Sequence, residues 1–209
     1  MMPFEKITRC GGAAAVAQAA RFFMRDDPVH QTLHTIAERL QDAGIPYAIV
    51  DGMALVAHGY QRTTEDVDVL VTAEGLARIH RELEGLGYLP PFAGSRNLRD
   101  ASTGVRIEFL VAGHYPGDGR SKPVAFPDPN SASIEIDGIR YITLPALVEL
   151  KLASGMTQPA RRRDLADVQD LIRILKLDES FADSLDPYVR PMFLTLRNEL
   201  RAAGAEEMP

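Results

Sequence analysis

Six residues near the middle of the chain, Asp66-Val67-Asp68-Val69-Leu70-Val71, restrict the possible folds more than any other segment. Apolar residues alternate with the two carboxylates, and the segment is rich in valine, so it reads as a strand. Residues two apart in a strand share a face. Asp66 and Asp68 therefore project together, while Val67, Val69 and Val71 face a core. Two carboxylates held side by side repel unless a cation or a proton lies between them. The pattern points to a metal site built on a half-buried sheet. The lead-in has a defined shape as well. The apolar run Tyr47-Ala48-Ile49-Val50 reads as a buried strand that breaks at Asp51-Gly52. Gly52 to His58 then reads as a helix, followed by the polar corner Gln61-Arg62-Thr63-Thr64-Glu65.

A strand, a tight turn and a helix start together present backbone N–H groups, a natural seat for phosphate. Hard oxygen ligands on the following strand suit magnesium or manganese. A two-metal site needs a third carboxylate. Glu108 is the candidate, in the alternating strand Val105–Val111 between Arg106 and Leu110. If that strand lies beside Asp66–Val71, all three carboxylates meet at one edge. The alternative is that Glu108 is an exposed strand residue paired with Arg106 or Arg140.

Around this centre the chain predicts helices over Val29–Ala43, Ala73–Leu86 (capped by Thr72, with Leu76, Ile79, Leu83 and Leu86 on one face), Thr143 to about Ala153, and Arg161–Leu175. Tyr88-Leu89 begins a further strand. Asp137-Gly138 predicts a two-residue hairpin turn between Ile134-Glu135-Ile136 and Ile139–Ile142. Residues 113–131, rich in Gly, Pro, Asp and Ser, form a long loop suited to a lid or specificity segment. Residues 1–27 read as a peripheral, partly disordered arm with a short helix over Ala13–Met24, and the tail from Asp178 to Ala203 as one or two helices.

A length of 209 residues fits one domain, or a domain with a helical appendage. The formal net charge of −6 gives no bulk argument for nucleic-acid binding and mildly suits a cationic acceptor. The single cysteine, Cys10, excludes an internal disulfide and a Cys-based zinc site. No apolar run has the length of a membrane span. With no strongly apolar leader, the expected compartment is the cytoplasm.

Val50-Asp51-Gly52, thirteen residues, and then Asp66-Val67-Asp68-Val69 resemble the signature of the polymerase β-type nucleotidyltransferase superfamily. The run Arg62-Thr63-Thr64-Glu65-Asp66 resembles that of the AbiEii-like toxin and minimal nucleotidyltransferase branch, as do Leu144–Lys151 and Arg163–Val168 downstream. The resemblance covers about residues 30–176. It implies an α+β nucleotidyltransferase fold: a small mixed twisted sheet flanked by helices, with a core over 28–143 and a C-terminal helical region over 144–209. It implies catalytic and metal-binding roles for Asp66, Asp68 and Glu108, with Mg2+ or Mn2+. It implies nucleotide contacts from Gly52, Arg62, Thr64, Lys151 and Asp164.

The implied reaction moves an NMP from a nucleoside triphosphate to a hydroxyl acceptor, which is a tRNA, a protein or a small molecule. The setting would be toxin–antitoxin, with a cognate antitoxin as partner, or resistance. The sequence departs from the signature at Asp51, where the superfamily has glycine. Two readings follow: a carboxylate that repels the triphosphate, or a cap for the next helix that leaves Gly52 for close approach. The first reading favours a degenerate fold used for nucleotide binding or protein interaction. Simpler roles stand beside the others. Arg62 can order the corner through Glu65 or Asp66, Lys151 can favour a helix C-terminus, and Asp164 and Asp167 can complement a helix dipole. Arg161-Arg162-Arg163 reads as a solvated charge run or a contact to RNA phosphates.

Overall fold

The computed structural model describes residues 19–22 and 24–206. Much of the predicted N-terminal arm, and Cys10 with it, lies outside the described residues. Within it, Phe22 is buried and packs edge-on against His30, and Asp27 caps the first long helix.

That helix, α1 (Pro28–Asp42), begins with proline after an Asp27 cap that accepts from the Val29 and His30 amides. Val29, Leu33, Ile36, Ala37 and Leu40 form its buried stripe. The chain continues through β1 (Tyr47–Val50), α2 (Asp51–Ala57), β2 (Asp66–Val71) and α3 (Ala73–Leu83). Next come β3 (Tyr88–Leu89), β4 (Leu98–Asp100), β5 (Arg106–Val111) and the hairpin β6 (Ser133–Ile136) and β7 (Ile139–Ile142). It closes with α4 (Leu144–Thr157), α5 (Arg162–Leu175) and α6 (Arg190–Glu206).

The seven strands form one mixed sheet in the order β3-β4-β5-β2-β1-β7-β6. β1 runs antiparallel to β2 and parallel to β7, and β2 runs parallel to β5. The register matters most at the centre. Val50 lies opposite Asp68 on one side of β2, and Glu108 lies opposite Asp68 on the other. Val67, Val69 and Val71 turn the other way and are fully buried. The α+β architecture and the adjacency of the two carboxylate strands are therefore as the patterning predicts.

The hairpin turn is also as predicted. Asp137 and Gly138 both have positive φ (51° and 78°), the left-handed pair that a two-residue turn demands. Thr72 caps α3 by accepting from the Gly75 amide.

Three elements differ from the sequence reading. α3 stops at Leu83, and Leu86 is 72% exposed rather than on the buried face. Glu84 is already extended, and Gly85 (φ 82°) turns the chain away before Leu86 can join the stripe. β4 had no strong pattern of its own. It is a three-residue strand fixed by pairing with β5 and β3. α4 runs past Gly155 to Thr157. A Cβ on Gly155 would lie 2.6 Å from Leu165 Cγ, so this glycine admits α5 at close range rather than ending the helix.

Candidate active site

The β1–α2 turn, the corner before β2, the outer face of β2 and β5, and the facing sides of α4 and α5 enclose a cleft of about 300 Å3. Asp66, Asp68 and Glu108 line its floor, with Asp51, Gly52, Arg62 and Thr64 at one end and Lys151 and Asp164 above. The residues singled out in the sequence are thus brought to one cavity.

Asp68 has no hydrogen-bond or ion-pair partner among the described residues. Burial, and then the charges of Asp51, Asp66 and Glu108, push its carboxyl well above the usual range. Asp66 accepts from Thr64 Oγ1 (3.0 Å) and from Arg106 Nη2 (3.0 Å). The same Arg106 nitrogen lies 2.9 Å from Glu108 Oε1, so one guanidinium bridges the outer pair of carboxylates. Arg106 lies opposite Asp66 in the parallel register, and that pairing puts it there. As a neighbour of Glu108 it was visible in the sequence, but its second contact, to Asp66, needs the strand order.

Gly52 and Thr64 form a unit. A Cβ at Gly52 would fall 2.7 Å from Thr64 Oγ1 and 2.8 Å from Thr64 Cβ. The bare glycine lets Thr64 sit against the turn, where its hydroxyl orients Asp66. Asp51 takes neither sequence reading in full. Its φ is +48°, in the left-handed region that favours glycine. Its side chain makes no cap to α2. The carboxylate instead reaches Lys151 Nζ at 2.6 Å.

Lys151 lies inside α4 with 5% of its side chain exposed, not near a helix end. Besides Asp51 it contacts Asp164 (3.1 Å) and Asp167 (2.8 Å). Burial alone would lower its pKa, but the three carboxylates outweigh burial and hold it above the ordinary lysine value. Asp51 is the reverse case: burial would raise it, and Lys151 keeps it below the usual range. Ser154 donates to Asp164 (2.6 Å), and Arg62 Nη1 donates to both oxygens of Asp167 (2.8 Å). The partner of Arg62 is thus Asp167, not Glu65 or Asp66. Asp51, Asp164 and Asp167 bring ligand oxygens within 4.8 Å of one another, close enough to hold a metal. The lysine ammonium already serves as their cation. The cation-deficient set is Asp68 with Asp66 and Glu108.

A crystal structure of ANT(2")-Ia in complex with adenylyl-2"-tobramycin superposes with a TM-score of 0.52 at 14% identity, covering 79% of this chain and 96% of that one. The chain has a nucleotidyltransferase fold. A solution structure of ANT(2")-Ia, described as an antibiotic-resistance factor, gives 0.48 at 15% identity over 83% of this chain and 91% of that one. An antigenic nucleotidyltransferase-like protein from Paracoccidioides brasiliensis gives 0.44 at 17% identity over 68% and 74%. No protein-family model matches the sequence, and no curated protein is similar to it at sequence level. On the nucleotidyltransferase fold seen here, the carboxylates of β2 and β5 face the cleft with the β1–α2 turn at its end. Among the described residues no helix is long and apolar enough to cross a membrane.

Proposed function

We propose that the chain is a metal-dependent nucleotidyltransferase that moves an NMP from a nucleoside triphosphate to a hydroxyl acceptor. The observation that carries this reading is Asp68. It is a carboxylate without a partner, opposite Glu108 in register and beside Asp66, facing a cavity on this fold. That donor set, oxygen-only and short of positive charge, fits a hard divalent cation. Asp66, Asp68 and Glu108 would hold Mg2+ or Mn2+, which would supply charge neutralisation on the phosphates and the leaving group.

The protein's own residues do the rest. Thr64 keeps Asp66 aimed into the cleft, and Gly52 makes room for Thr64. The acceptor hydroxyl oxygen attacks the α-phosphorus, the bond to the bridging oxygen breaks and pyrophosphate leaves. Glu108 either completes the metal site or takes the hydroxyl proton. Arg62, Lys151 and Asp164 form a charged, hydrogen-bonding wall at the phosphate end, where Arg62 and Lys151 would meet the phosphates. Asp51 is the most exposed of the three carboxylates on Lys151, at 34% of its side chain against 10% and 3%. It is the contact that yields when a triphosphate approaches. The AbiEii-like motifs extend this reading to a tRNA or protein acceptor and a cognate antitoxin. The likeness to ANT(2")-Ia extends it to a small-molecule acceptor.

The test is thermal stability with each nucleoside triphosphate and magnesium. The wild type should be stabilised and Asp66→Ala/Asp68→Ala should not. No stabilisation of the wild type at millimolar magnesium sinks the proposal. A second reading, a degenerate module that binds without catalysis, is favoured by the Asp51–Lys151 contact. It predicts that Asp66→Ala/Asp68→Ala leaves nucleotide binding intact and that no pyrophosphate is released.

A further inference from the structure

The cleft changes sign along its length. The end described above is lined by five carboxylates: Asp51, Asp66, Asp68, Glu108 and Asp164. A second cavity of about 550 Å3 opens beyond it, sharing Leu110, Pro116, Gly117, Phe126 and Arg161 as walls. Leu110 follows Glu108 on the same face of β5, about 7 Å further along the strand. The second cavity therefore continues the cleft from the carboxylate end, with Leu110 as the wall residue next to Glu108 on that face.

Its lining carries a single carboxylate, Asp118, already bonded to Lys122 Nζ at 2.6 Å and to the Arg120 amide. Against it stand Arg96 and Arg161. Neither guanidinium has a hydrogen-bond or ion-pair partner among the described residues, and both are exposed. The wall between them is fixed in place. Gly113 and Phe126 are joined through backbone (2.8 Å), and Phe126 donates to the His114 carbonyl (2.8 Å). Gly117, at φ +71°, packs so closely on α4 that a Cβ would lie 2.4 Å from Thr157 Oγ1. Lys122 ties the loop to the Pro116 carbonyl and to Thr157. The segment suited by its sequence to a lid or a specificity segment is here tied down as a wall of the cavity.

We propose that this second cavity is the acceptor subsite, and that it takes a hydroxyl compound carrying a phosphate group, held by Arg96 and Arg161. This rests on the nucleotidyltransferase reading above and names its acceptor class. Two guanidiniums without hydrogen-bond or ion-pair partners among the described residues offer the charge and the N–H donors that a phosphate takes. A polycationic acceptor such as tobramycin would meet two like charges there. The formal charge of −6 for the whole chain, which leaned toward a cationic acceptor, is not the charge of this cavity. A small phosphorylated sugar and the end of an RNA strand share the required chemistry.

The full chain is titrated by calorimetry with ribose 5-phosphate, ribose, a 12-nucleotide single-stranded RNA and spermine, using the wild type, Arg96→Ala and Arg96→Glu. Ribose 5-phosphate should bind and ribose should not, with affinity falling at least tenfold in Arg96→Glu and less in Arg96→Ala. Stabilisation by nucleoside triphosphate and magnesium should be unchanged in both variants, which separates this subsite from the nucleotide site. If the RNA binds with Arg96 dependence and ribose 5-phosphate binds a hundredfold more weakly, the phosphate belongs to a polymer acceptor. If both bind alike, the free compound suffices. Ribose 5-phosphate and RNA binding that ignores Arg96→Glu, or spermine binding that tightens with it, overturns the proposal.

Discussion

Asp51 and Lys151 meet at 2.6 Å across the mouth of the cleft, the carboxylate on a left-handed turn residue and the ammonium buried in α4. On the proposed function, the pair places an anion beside the turn that is to receive a phosphate. Asp51→Gly keeps the backbone conformation, because glycine adopts φ +48° freely. It leaves Lys151 with Asp164 and Asp167. Removing one unit charge near a phosphate is worth ~1 kcal/mol even at the dielectric of water. Nucleoside triphosphate with magnesium should therefore bind about fivefold or more tightly to Asp51→Gly by calorimetry. Equal or weaker binding would show that Asp51 does not compete with phosphate.

Lys151 is the only cation in contact with Asp51 and Asp164 among the described residues. Lys151→Met should cost about 3–5 kcal/mol in urea denaturation, because buried carboxylates lose their compensating charge. The vacated space is then bounded by three carboxylates within 4.8 Å of one another. Calcium or magnesium should raise the melting temperature of Lys151→Met/Asp66→Ala/Asp68→Ala more than that of Asp66→Ala/Asp68→Ala. Equal responses would mean that the ammonium is not standing in for a cation.

Gly52→Ala pushes a methyl group to within 2.7 Å of Thr64. The expected loss is about 1–3 kcal/mol from overpacking. Because Thr64 Cβ is itself 2.8 Å away, Thr64→Ala should relieve little and Thr64→Gly most of the clash. A double-mutant cycle reads this directly. Additive costs for Gly52→Ala and Thr64→Gly would sever the link from the turn to Asp66.

At the other end of the fold, burial would raise the pKa of Asp27, but its bond to His30 Nδ1 (2.5 Å) and to the Val29 amide (2.8 Å) holds it below the ordinary value. A carboxyl depressed in the folded state contributes stability above its unfolded pKa of about 4 and loses it as pH falls through the depressed value. Unfolding free energy should drop through this acid window in the wild type. Asp27→Asn should be less stable at neutral pH and show a flatter acid limb. Parallel curves would assign the acid loss to other carboxylates.

Alternation fixed β2 and β5, cap chemistry fixed the starts of α1 and α3, and Asp137-Gly138 fixed the hairpin, because each is written in residues adjacent in the chain. The candidate carboxylates Asp66, Asp68 and Glu108 were legible for the same reason. Their meeting depends on β5 lying parallel to β2, which periodicity suggests but cannot impose. Strand β4 was hidden because its neighbours, not its own residues, hold it in the sheet.

The partners of charged groups lay furthest from view. Arg62 and Asp167 are 105 residues apart, Lys151 and Asp51 are 100 apart, and only the packing of α4 and α5 over the turn joins them. Likewise, a sum over the sequence makes the chain acidic. Tertiary structure sorts that charge into a carboxylate floor and an arginine-lined cavity beside it. Local patterns set which backbone each segment adopts. Which charge neutralises which is decided by distance and burial in the folded state, where desolvation makes an uncompensated ion costly.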